Sequence, residues 1–196
     1  RDSDSKILIT EKEFSQMLSS ILSRIPLLNH IIEIDEDSYK RMVANSPATS
    51  PKIDIDDEDE ATIIYTSGVL GKQKGVVHTH ASFMGTPNIV SSGIGRKRED
   101  VVIDTVPFFY LLGLSEVLFG SIIKGSTVVI ISHFTPRAVL EAIERERGSI
   151  IFGVPAMYNA LAMLRDEVIK NYDFSSLGSL YRWGEILSPS HENAGE

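Results

Sequence analysis

The chain has 196 residues, 42% hydrophobic and 23% charged, which suits a globular protein with one sizeable core or two small subdomains. A net charge of −8, from 19 basic and 27 acidic side chains, argues against a general binder of nucleic acid or anionic membranes. The absence of cysteine excludes disulfide scaffolds, thiolate nucleophiles and cysteine zinc sites, and no apolar run is long enough to span a membrane. The first residues, Arg-Asp-Ser-Asp-Ser, read neither as a signal nor as a transit peptide and lack an initiator Met, as expected of a piece of a longer chain.

In chain order, residues 6–10 read as a short buried strand. Phe14, Met17, Leu18, Ile21 and Leu22 then recur at three- and four-residue spacing, which predicts a helix over 11–24. Thr10, with Glu13 three residues on, fits a capping box, and Pro26 ends the helix. A second strand around 30–34, with His30 at a sheet edge, completes a strand–helix–strand unit, and 36–44 suits a short helix. Residues 45–51 are a loop. Residues 54–60 hold six acidic side chains in seven and read as a solvated linker rather than a metal site. The expected organisation is a first subdomain portion over 1–50, the linker over 51–60 and a second portion over 61–196.

Ile63, Ile64 and Tyr65 suit a buried strand that breaks into a loop with Thr66, Ser67, Gly68, Gly71, Lys72, Lys74 and Gly75. Glycines let a backbone turn closely around an anion, successive amides form an anion-binding concavity, and hydroxyls and lysine add donors and charge. The loop therefore reads as a phosphate site. It is not a Walker A loop, because counting from Gly68 puts Gln73 and Lys74 where Gly and Lys belong, and the dinucleotide pattern of glycines is absent.

Beyond the loop a helix is expected over 81–95, followed by a polar turn at 96–100 and a strand over 101–106. The aromatic stretch 107–113 precedes a helix over 114–124 that Gly125 ends. A strand over 127–131 leads to a helix over 136–147, with Thr135 or Ser132 as cap and Pro136 in the first turn. Then come a strand over 150–152, a helix over 156–165 with room to continue to 170, and a last strand over 180–183. The fold class is α/β, a mainly parallel β-sheet layered with helices, and ligands in such sheets gather at the carboxyl ends of strands. If the strands before the glycine loop, the 107–113 loop, Gly153–Pro155 and Gly184 share one sheet edge, their loops face one cleft.

The stretch 65–76 resembles the signature loop of the AMP-forming acyl-CoA synthetases, within the adenylate-forming enzyme superfamily. The matching residues are Thr66, Ser67, Gly68, Gly71, Lys74, Gly75 and Val76, with Thr79 and His80 similar to the Thr/Ser-His that follows in many members. Pro107 to Gly113 is similar to the second motif, 136–155 resembles the stretch ending in Val-Pro-Pro, and 184–189 resembles the Gly-rich stretch ending in Ser-Pro. Val69, Leu70, Gln73 and Tyr110 depart from the hydroxyls, proline and histidine of those motifs.

The resemblance implies a cytoplasmic ligase, at most peripheral to a membrane, acting on ATP with Mg2+, a hydrophobic carboxylic acid such as a long-chain fatty acid, and coenzyme A. It forms an acyl-adenylate and then a thioester. It further implies that Thr66, Ser67, Gly68, Gly71, Lys74 and Gly75 bind the ATP phosphates. Phe108, Tyr110, Leu111, Gly113, Met157 and Gly184 are implied to line the acyl pocket. This span carries no assignable catalytic residue, and alone it is expected to be inactive. Two alternatives stay open: an adenylation domain for an amino or aryl acid, and a nucleotide-binding homologue without catalysis.

Overall fold

The computed structural model describes residues 2–18, 20–66 and 73–182, and the chain divides into two units, residues 1–56 with 65–76 and residues 57–64 with 77–196. The predicted site residues Ser67, Gly68, Gly71 and Gly184, and the departures at Val69 and Leu70, lie outside the described residues.

In the first unit β1 (Ile7–Thr10) and β2 (His30–Glu33) pair in parallel, Ile7 opposite His30 and Thr10 opposite Glu33. α1 (Lys12–Leu18) and a 3-10 turn at Leu22–Arg24 connect them, and α2 (Asp37–Asn45) follows. The expected long helix is thus two shorter pieces, with Ile21 N donating to Leu18 O between them. The expected capping box is replaced by a contact from the next strand's end: Lys12 N donates to Asp35 Oδ1 at 3.0 Å. The strand over 6–10 was expected to be buried, yet Ile7 and Ile9 are exposed, because a two-stranded sheet with one short helix leaves its apolar side chains in solvent.

β3 (Glu60–Thr66) and β4 (Lys74–Thr79) form a separate two-stranded sheet. His80 N donates to Asp59 O at 3.0 Å and Ala81 N to Asp57 O at 2.8 Å, so the end of β4 returns to the start of β3. This is an antiparallel hairpin, the arrangement a short connection permits. Two expectations are corrected. The strand before the glycine loop is not part of the main parallel sheet, and Ile63 and Tyr65 are exposed rather than buried, since two strands cover only part of one another.

The second unit holds the core. Its sheet runs β6 (Thr127–Ile130), β5 (Val101–Asp104), β7 (Ile150–Gly153), β8 (Ser179–Arg182), all pairs parallel. On one face Val102, Val106, Ile150 and Phe152 pack with Leu112 and Val117. On the other, Ile103 and Ile151 pack with Val139, Ala142 and Ile143 of α5 (Pro136–Glu146). Burial on both faces explains the near-continuous aliphatic runs of β5 and β7.

Local signals place these elements. α3 (His80–Gly93) starts where Ser82 N donates to Thr79 Oγ1, and it accommodates Pro87 in its interior. α5 starts where Ala138 N donates to Thr135 Oγ1 at 3.1 Å, with Pro136 in its first turn. The expected helix over 114–124 is instead a π-helical segment, Leu112–Phe119, running into α4 (Gly120–Lys124). Its widened turn has a partner no local rule reveals: Arg96 Nη1 donates to Glu116 O at 2.9 Å. Gly125, at φ +70°, closes α4. After β7, α6 (Pro155–Ala162) and α7 (Asp166–Ile169) replace a single expected helix.

Candidate functional site

The chain leaves β5 through the π-helical segment on one face of the sheet and reaches β6 at one edge. It leaves β6 through α5 on the opposite face, crosses to β7, and leaves β7 through α6, whose Tyr158 and Leu161 pack on that same opposite face. Connections therefore diverge between β5 and β7. Such a switch point opens a crevice beyond the carboxyl ends of the strands, the usual ligand position in an open α/β sheet.

Thr105, Gly153 and Met157 make the floor. Thr105 Oγ1 donates to Phe152 O at 2.8 Å and lies 3.1 Å from Met157 Sδ, stitching the end of β5 to the end of β7. A Cβ on Gly153 would lie 3.2 Å from the Tyr158 ring and 3.4 Å from Thr105 Oγ1, so a larger residue would push on the floor itself. The Tyr158 hydroxyl donates to Tyr181 O at 2.8 Å, and burial pushes its phenol upward.

The wall is the turn after β5. Tyr110 N donates to Pro107 O and Leu114 N to Tyr110 O, while the Phe109 and Tyr110 rings, 4.4 Å apart, stand exposed. Gly113 sets how closely this turn meets the π-helical segment: a Cβ there would lie 2.6 Å from Val106 O and 2.7 Å from Pro107 O. Asp104, at the end of β5, is 2% exposed, and its Oδ1 accepts from Val106 N at 3.0 Å. Burial lifts its carboxyl to about 6.

Among the predicted acyl-pocket residues, Phe108 and Met157 border one cavity, Tyr110 and Leu111 are exposed on the turn after β5, and Gly113 is a buried spacer. Among the predicted phosphate residues, Thr66 ends β3, and Lys74 and Gly75 begin β4, all three exposed. The described residues hold no group of three or more metal-ligating side chains and no helix long and apolar enough to cross a membrane.

Three residues escape sequence reasoning. Asp104 and Thr105 read as ordinary strand residues. Arg96, inside the polar turn read at 96–100, is buried with its guanidinium 5.0 Å from the Phe152 ring centre. The expected polar turn is corrected at this residue, because the π-helical carbonyls need its donors. Burial pushes the neighbouring Glu116 carboxyl up and holds Arg96 below its ordinary value. A charged run carries no local mark of which member turns inward.

Comparison with known proteins gives a consistent result. The sequence profile described as AMP-binding enzyme matches residues 1–194. A probable CoA ligase of Humulus lupulus is 36% identical over 135 residues, covering 68% of this chain and 24% of that protein. Among solved structures, the N-terminal domain of FACL13 from Mycobacterium tuberculosis superposes with TM-score 0.86 at 25% identity, covering 96% of this chain and 47% of that one. An anthranilate CoA ligase in complex with anthranoyl-AMP superposes with TM-score 0.85 at 26% identity, covering 93% of this chain and 36% of that one. This chain thus spans about a quarter of the plant relative's length.

Proposed function

This chain belongs to the AMP-binding enzyme family, and from that membership we propose that the protein containing it is an ATP-dependent, AMP-forming ligase joining a hydrophobic carboxylic acid to coenzyme A. In the first half-reaction a carboxylate oxygen of the acid attacks the α-phosphorus of ATP, and pyrophosphate leaves. In the second the CoA sulfur attacks the acyl carbon, and AMP leaves as the thioester forms.

In this reading Thr66, Ser67, Gly68, Gly71, Lys74 and Gly75 cradle the β- and γ-phosphates with amides, hydroxyls and one ammonium. Mg2+ enters with ATP, held mainly by phosphate oxygens, and screens their charge. Phe108, Tyr110, Leu111, Gly113, Met157 and Gly184 form the acyl side, with residues 1–50 a portion of a first subdomain and 61–196 a portion of the nucleotide- and acyl-binding one. The observation that carries the proposal is the crevice at the β5/β7 switch point. Its aromatic wall and its floor of Thr105, Gly153 and Met157 lie in a chain matched by the family almost end to end. A long-chain fatty acid is the first substrate to try.

ATP–pyrophosphate exchange by the intact protein tests this. Exchange dependent on fatty or other hydrophobic acids is expected, with a loss of more than about tenfold on Lys74→Ala, which removes a charge-assisted phosphate contact. Exchange with amino or aryl acids and no thioester on adding coenzyme A would replace the reading with a carrier-loading adenylation domain. Nucleotide binding with no exchange would replace it with a non-catalytic homologue.

A further inference from the structure

The second unit has a partly open cavity of about 200 Å³ beyond the ends of β5 and β6, lined by Asp104, Thr105, Phe108, Ile130, Phe134 and Met157 among others. The lining is mostly apolar, and Asp104 is its anionic member. A carboxylate offers about four lone-pair positions, and the described structure supplies Asp104 with one protein donor, Val106 N. No ion pair among the described residues includes it. A buried carboxylate so lightly served is costly unless something else donates to it. The upward displacement of its protonation, caused by burial with only that backbone amide opposing, agrees with an unmatched anion.

Size limits what the something else can be. A cavity of roughly 150 Å³ accepts benzene, so this one holds a ring or a short chain with a small polar substituent. It borders the crevice through Phe108 and Met157. From these observations we propose that Asp104 is a specificity-determining residue: its carboxylate accepts a hydrogen bond from a hydroxyl or amino group at the end of the acid substrate remote from the reacting carboxylate. The inference rests on the ligase reading above and narrows it. The preferred acid is then ring-sized with a distal donor, which displaces the long-chain fatty acid named above as the first substrate to try.

The test is pyrophosphate exchange by the intact protein with a matched set: 3-phenylpropanoic acid, its 4-hydroxy derivative and its 4-amino derivative. The wild type is expected to favour the donor-bearing acids by about tenfold or more in kcat/KM, as for a hydrogen bond to a charged group. Asp104→Leu is expected to reverse the order. Asp104→Asn keeps an acceptor in the same volume and is expected to retain part of the preference. Equal use of all three acids by the wild type overturns the proposal whether or not either variant folds, and so does an unchanged preference in a folded Asp104→Leu. Exchange with hydrophobic acids alongside either result leaves the ligase reading standing. Absence of exchange with every acid overturns both.

Discussion

In the first unit, strand and helix alternate but Ile7, Ile9, Phe14 and Met17 remain 53%, 65%, 53% and 71% exposed. In the second, the same alternation removes Val102, Ile103, Val139 and Ile143 almost completely from solvent. The aliphatic content of β1 and β5 is similar, so the strands themselves do not make the difference. β5 is the second strand of four, with helices on both faces, whereas β1 has one strand beside it. A parallel strand hides its side chains only when both faces are covered, and a pair of strands cannot supply that cover. The comparison teaches that apolar patterning states a demand for burial, and the number of layers decides whether it is met.

The sharpest way to break the contrast is to cut a cavity in each unit. Ile103→Ala should lower the stability of the intact protein by about 2–5 kcal/mol, through lost burial and a void beside α5, read as a lower urea midpoint. An effect below about 1 kcal/mol would mean that this core is not close-packed.

Asp104 gives the next effect and tests a polar side chain under the same burial. Its native carboxyl titrates near 6, above the ordinary 3.8. Between those values the native state keeps a proton that the unfolded chain has released. Stability should therefore fall as pH rises from about 4 to about 6, by an amount on the order of 3 kcal/mol, and then level off. Asp104→Asn should flatten that slope in urea titrations at several pH values. A slope identical to wild type would place the titration elsewhere.

Thr135→Ala removes the acceptor for Ala138 N at the start of α5. It should lower stability by about 1 kcal/mol, while Thr135→Ser should restore most of the loss; thermal melts of the two variants distinguish capping from general packing. The smallest effect is expected in the first unit, where Ile9→Ala should change stability by less than about 0.5 kcal/mol, because the side chain is already 65% exposed. A loss comparable to that of Ile103→Ala would show that Ile9 is covered in the intact protein.

Much of this molecule was legible beforehand for identifiable reasons. The helix start at Thr135 was readable because a cap is a contact over three residues. The end of α4 at Gly125 was readable because a left-handed closing residue favours glycine. The parallel strands announced themselves as aliphatic runs bounded by turns. The proposed phosphate site rests on a local coincidence of glycine, hydroxyl and lysine in the sequence. The hairpin geometry around that loop was not readable, because strand partners are chosen by tertiary pairing, and both an antiparallel return and a crossover fit the string.

What the sequence by itself determined is local: the strand–helix order, the cap of α5, the aromatic turn after β5, and the motif order that resembles the family to which the chain belongs. Tertiary structure alone decided which strands are neighbours, and so put the crevice between β5 and β7. It also turned Arg96 inward to serve π-helical carbonyls, and it buried Asp104 beside an apolar cavity with a single backbone donor. The physical reason is range. Caps and turns are settled by neighbours within a few residues, whereas the burial of a charge depends on groups brought together from distant parts of the chain.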